Sequence, residues 1–110
     1  MEGSDNLKAL FIIVNAGFAE HVIDIAREAG VKGATILNAR GDGARHQVFM
    51  GITVDSEKEL IICVADKDTS DKAMAAVTEK AGIKTPSHSV CFSMAIERAI
   101  GIGGTPLPQA

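Results

Sequence analysis

Three short groups of residues carry side chains whose types and spacing permit chemistry. The first is GDGAR, Gly41 to Arg45. Glycines let backbone N–H groups approach a phosphate, and an arginine adds charge-assisted hydrogen bonds. The segment is not a Walker loop and no helix is expected after it, so a plain glycine turn is the competing reading. The second is TPSHS, Thr85 to Ser89. Its hydroxyls, imidazole and backbone donors suit an anion or nucleotide pocket, while a polar loop stiffened by Pro86 accounts for the same residues. The third is Cys91 with His88. A thiol nucleophile needs a lowered pKa and a base within reach. These two lie three positions apart at a loop-to-strand junction, an odd offset that sends extended-chain side chains to opposite faces. His21, His46 and His88 lack ligand-like spacing, and neither cysteine has a CxxC partner, so no metal centre is expected. Asp66 and Asp68 close a strand, where acids make turns or caps. No carboxylate pair stands out for acid–base work, and the chain reads as a binding protein, not an enzyme.

The composition agrees. The 110 residues are 46% hydrophobic and 23% charged, which is ordinary globular chemistry. A chain of this length buries roughly two-thirds of its unfolded surface, enough for one core. The net charge of −3 argues against nucleic acid, whose binding is dominated by Lys and Arg. The only aromatics are four Phe, with no Trp or Tyr, too few for a base-stacking platform. Cys63 and Cys91 lie in apolar runs and read as buried, reduced thiols of a cytoplasmic protein. No signal peptide is visible, and no run approaches the roughly 18–20 apolar residues of a membrane span.

The elements that must position these groups follow from periodicity. Met1 to Asn6 is polar and is expected to be mobile. KALFIIVN, Lys8 to Asn15, is a compact apolar run and reads as a central strand. Asn15-Ala16-Gly17 makes a turn. Phe18, Val22, Ile25, Ala26 and Ala29 then recur at helical spacing, and Gly30 stops the helix. Ala34 to Arg40 is a second strand, and Gly41 to His46 a polar loop. Val48 to Val54 reads as a short strand or hairpin arm, with Asp55-Ser56-Glu57 as its turn. Glu59 to Asp66 is the second strong strand. Thr69 or Ser70 caps a second helix, which runs to Ala81 and ends at Gly82. Lys84 to Ser89 is a loop, Val90 to Ile96 the last main strand, and the tail from Gly101 is expected to be flexible.

The order is βαβ followed by βαβ, with AGVK (Ala29 to Lys32) echoed by AGIK (Ala81 to Lys84). Two interleaved units of this kind make an α+β, split βαβ (ferredoxin-like) fold, a four-stranded antiparallel sheet with two helices on one face. The whole chain, 1–110, reads as a single domain with its core at about 8–102. Ile12-Ile13-Val14 and Ile61-Ile62-Cys63-Val64 are apolar without alternation, whereas a strand with one wet face alternates. No further helix is left to cover the second face, so another subunit is expected there.

AGVKGATI leading into the second strand, GDGAR, ELIICVAD, and KTPSHSVCFSMAIERAIGI follow one another in an order that resembles the nitrogen-regulatory P-II superfamily, in its P-II-like branch. The resemblance covers Lys8 to Ile102. It implies a ferredoxin-like homotrimer whose sheets meet at its centre. It also implies adenine nucleotides in the clefts between subunits, and a T-loop after the second strand that touches a regulated partner, such as a membrane transporter. By position, Thr35 stands where a P-II threonine meets the ligand. Gly41, Gly43 and Arg45 stand at the T-loop base. Ile13, Cys63 and Val64 form the apolar wall near adenine, and Ser87, His88 and Ser89 the phosphate-side loop.

The chain departs from the family in several places. The Gly41-to-Glu57 loop is shorter than the usual T-loop, and no tyrosine is present for uridylylation. Val90 stands at the place of the phosphate-loop lysine, and Gly101 and Gly103 fall near the family's arginines. Each charged hydrogen bond lost weakens triphosphate binding by about 1.5–3 kcal/mol. These departures weigh against ATP sensing with 2-oxoglutarate. They leave an adenine nucleotide (ADP, AMP or ATP), a cyclic nucleotide or another small anion as ligand, with no covalent cofactor expected. The alternatives are a divalent-cation-tolerance-type trimer that binds metal and a small ferredoxin-like oxidoreductase, which would be dimeric.

Overall fold

The apolar runs form the strands that their composition dictates. The computed structural model describes residues 6–41, 47–49, 52–54 and 56–101. Its elements are β1 (Leu7–Asn15), α1 (Ala19–Glu28), β2 (Thr35–Gly41), β3 (Gln47–Phe49), β4 (Ile52–Val54), β5 (Ser56–Asp66), α2 (Lys67–Ala81) and β6 (Val90–Ala95). The main sheet has the order β2-β5-β1-β6, and every pair in it is antiparallel. This is the split βαβ (ferredoxin-like) fold expected from the sequence. Among the described residues no helix is long and apolar enough to cross a membrane.

Both helices cover the same sheet face. Leu10, Ile12 and Val14 of β1 and Ile61, Cys63 and Ala65 of β5 pack against Val22, Ile25 and Ala26 of α1 and Ala73, Val77 and Ala81 of α2. A fully buried Leu, Ile or Val contributes about 1.5–3 kcal/mol relative to exposure. The alternate residues point the other way, where no described element of the chain covers them. The register sets Leu37, Leu60, Ile13 and Val90 in one row. Ile62, Phe11 and Phe92 form the next row, and Val64, Ala9 and Met94 the third. Phe11 and Phe92 stack with ring centroids 5.2 Å apart. Leu37, Val90, Phe92 and Met94 are exposed on the single chain.

The helix ends show what local sequence controls. Gly30, at φ 115°, closes α1: its N–H donates to Arg27 and the N–H of Val31 donates to Ala26, the paired bonds of a Schellman end. Gly82 ends α2 for a different reason. A Cβ there would stand 2.4 Å from the Thr78 carbonyl oxygen, so the chain needs glycine for a close approach.

Three expectations change. Asp66, not Thr69 or Ser70, caps α2: its carboxylate accepts from the Thr69 N–H at 2.7 Å, and Ser70 is buried on the inner face of the helix. Where one strand or arm is expected over Val48 to Val54, residues 47–49 and 52–54 form two paired strands, β3 against β4. Ser56 and Glu57 belong to β5, because β2 continues far enough to pair with them. Asp55, the remaining residue of the expected turn, lies outside the described residues.

Hydrogen bonds from Thr69 hold the Asp66 carboxyl below the usual carboxylate range. A depressed folded-state pKa adds stability above the unfolded value, about 4, and that stability is lost as pH falls through the lower folded value. Asp66→Ala is therefore expected to lower the melting temperature near neutral pH. The gap from wild type should close in acid, as melting curves across the acid range will read.

Candidate functional site

Strand β5 orders the candidate residues along its length. Thr35 lies opposite Ile62, near one end of the sheet, and Gly41 opposite Ser56, at the other. Lys58 and Val64 are both on the uncovered face, six residues apart, or about 20 Å at 3.3–3.4 Å per residue.

At the first end, Thr35 and Val64 line a cleft of 460 Å³ together with Lys32, Gly33, Ile62 and Asp66. The cleft mixes apolar wall with a cation, a carboxylate and a hydroxyl, a lining suited to a small polar ligand.

At the second end, Asn15 bonds both β5 and the 82–89 loop. Its backbone N–H donates to the Ser87 carbonyl at 2.9 Å. Its carboxamide donates to the Pro86 carbonyl at 2.8 Å and accepts from Lys58 Nζ at 2.6 Å. The Lys58 stem passes Gly41, where a Cβ would meet its Cε at 3.0 Å. Thus Asn15 joins Lys58 to the 82–89 loop, and the Lys58 stem in turn lies beside Gly41. Glu59 reaches the same corner on the opposite face. Its Oε1 accepts from the N–H groups of Gly17 and Ala19. Phe18, the N-cap residue of α1, makes no side-chain cap, so a carboxylate from β5 serves the helix's positive end.

The 82–89 loop is folded on itself. The Thr85 N–H and hydroxyl both bond the Gly82 carbonyl, and the His88 N–H bonds the Thr85 carbonyl. His88 takes φ 50°, the only positive φ of a non-glycine residue among the described residues. Its Nδ1 lies 3.0 Å from the Ile83 carbonyl oxygen. A carbonyl only accepts, so Nδ1 carries the proton and Nε2 remains for another partner.

The candidate residues sort as follows. Thr35 and Val64 meet in the cleft, while Gly41, Ser87 and His88 belong to the opposite end. Ile13, opposite Leu60, lies nearer that opposite end. Cys63 is a correction to the expected apolar wall. It is buried against the helices and faces away from Ile13 and Val64, because consecutive strand residues alternate. Ser87 and Ser89 are also buried, and the Ser89 hydroxyl is enclosed without a partner. Gly43 and Arg45 lie outside the described residues. Burial pushes the Cys63 thiol up, and does the same for Cys91 against a smaller opposing effect of its Thr78 hydrogen bond. That is the wrong direction for a thiolate nucleophile. Among the described residues no cluster of three or more His, Cys, Asp and Glu side chains could hold a metal ion.

Sequence reasoning misses Asn15, Lys58 and Glu59. The signal for Lys58 is its even spacing from Leu60, Ile62 and Val64, which puts a cation on an otherwise apolar face.

A sequence profile described as "Nitrogen regulatory protein P-II" matches residues 7–103. Among curated proteins no sequence relative matches the chain. The fold is similar to that of Bacillus subtilis GlnK, with a TM-score of 0.70 at 18% identity, covering 92% of this chain and 94% of that one. The B. subtilis GlnK–ATP complex gives 0.67 at 19% identity, with 90% and 91% covered. A PII-like signaling protein of Thermus thermophilus gives 0.62 at 16% identity, with 80% and 84% covered. At these identities the likeness is one of fold.

Proposed function

The chain belongs to the nitrogen regulatory P-II family, and from that premise we propose that it is a cytoplasmic signalling protein that binds an adenine nucleotide between the subunits of a homotrimer. It then controls a partner protein through the Gly41–Glu57 loop. The observation that carries this reading is the division of the candidate residues between two ends of one sheet. Val64 stands about 20 Å along β5 from Lys58, and Thr35, opposite Ile62, about 13 Å, so a base seated against Val64 lies far from Lys58 within a chain. A ligand engages both groups when the first end of one subunit meets the second end of its neighbour. The apolar rows around Phe11 and Phe92 supply the surface on which subunits would meet. The unpaired thiols of Cys63 and Cys91 suit a reducing compartment.

In this reading the cleft at Thr35 takes the base, and the 82–89 loop with Lys58 takes the anionic end. B. subtilis GlnK has been solved with ATP, which favours an adenine nucleotide here. Lys58 supplies a cation where Val90 cannot. Thermal melting with ATP, ADP or AMP tests the proposal, because a ligand that binds the folded state at a hundred times its Kd adds about 2.7 kcal/mol. We expect at least one of the three to raise the melting temperature, and Lys58→Met to weaken its binding about tenfold or more. No shift with any of them at millimolar concentration would remove the proposal.

A further inference from the structure

We infer that Asn15 is a positioning residue of the anion-binding end, holding the Lys58 ammonium in register with the 82–89 loop. The inference rests on the proposed nucleotide site and assigns a residue that turn chemistry alone does not explain. A turn after β1 needs no carboxamide, yet this one uses both of its functional atoms. Oδ1 accepts from Lys58 Nζ at 2.6 Å, across 43 positions of sequence, and Nδ2 donates to the Pro86 carbonyl at 2.8 Å, across 71. The backbone N–H adds the bond to Ser87. An uncharged amide donates and accepts at one planar group, which is what these two bonds use.

Two physical consequences follow. A lysine stem has many rotamers, and ordering it at the moment of binding opposes affinity. Asn15 orders it beforehand, with Gly41 leaving room for the stem. The acceptor is also neutral. An aspartate in the same place would hold Lys58 as firmly but cancel the charge that an incoming phosphate needs. A carboxamide fixes the ammonium and leaves its charge available. Because the same amide grips Pro86, a shift of the 82–89 loop is transmitted to Lys58 and to the strand end at Gly41.

A double-mutant cycle separates this role from simple bracing of the loop. ATP, ADP and AMP are titrated calorimetrically into wild type, Asn15→Leu, Lys58→Met and the double variant, with melting curves recorded for each. Asn15→Ser, smaller and polar, replaces Asn15→Leu if the latter does not fold. We expect the Asn15 change to weaken the tightest nucleotide about tenfold in the wild-type background and less than twofold when Lys58 is already methionine. Equal losses in both backgrounds, or no loss in either, would overturn the inference and leave the nucleotide site standing. A wild-type protein that binds none of the three nucleotides would instead remove the site, and Asn15's role with it.

Discussion

Replacing Phe92 by glutamate is expected to turn the assembled protein into single chains. Phe92 is 43% exposed on the isolated chain, stacks on Phe11 and belongs to the middle of the three apolar rows, on the edge strand β6. In the proposed trimer these rows would lie against those of the neighbouring subunits, so a carboxylate there would be buried without a partner. Burying an unpaired charge costs several kcal/mol per ion, and a threefold assembly meets that cost in every subunit. The core lies on the opposite side of the sheet, among Leu10, Ile12, Ile61 and Val77, so the single chain keeps its fold. Light scattering should give three times the 11.5 kDa chain mass for wild type and one chain mass for Phe92→Glu. Circular dichroism should show retained helix and sheet in the variant. A variant that stays assembled, or a wild type that is already monomeric, would rule out the sheet face as the interface.

Ile61→Ala is expected to produce the largest loss of fold stability, about 2–5 kcal/mol. Ile61 is fully buried. It lies opposite Ile12 on one side and Ile36 on the other, under the helix layer. Its removal leaves a void that the surrounding sheet and helices fill only partly. Urea unfolding at a fixed protein concentration reads the effect, and the concentration must be held because assembly is linked to folding. Ile62→Ala, one residue away, faces the other side. Its effect should fall on the mass measured at low concentration, with a much smaller shift at concentrations that keep the protein assembled. The opposite assignment of the two effects would mean that the sheet faces have been read the wrong way round.

These two neighbours show how far the sequence is legible. The unbroken run of Ile61, Ile62, Cys63 and Val64 announces a strand apolar on both faces, and the need for a second covering layer follows from it. Gly30 and Gly82 mark helix ends because each answers a local requirement, one of dihedral and one of space. The P-II resemblance likewise rests on motifs in linear order, and from them it assigns Thr35, Gly41 and Ser87 to Ser89 to a site as an expectation. What escapes depends on the pleat and on contacts between distant strands. Cys63 and Val64 are neighbours in sequence, yet the pleat sends them to opposite faces and only one of them can reach the expected wall. Asp66 reads as the close of a strand, and only the fold sets its carboxylate on the Thr69 N–H. Asn15 and Lys58 meet only because β1 and β5 pair in a register that places them opposite one another. Glu59 serves a helix that begins 40 positions before it. No local pattern encodes such pairs.

The division of the site between subunits is the central claim, and titration of ADP into wild type and into Phe92→Glu tests it directly. One ADP should bind per chain in the wild-type trimer, and binding should be at least a hundredfold weaker in the folded monomer, which would hold only half of each cleft. Equal affinity in the two proteins would contradict it, because the whole site would then lie within a single chain.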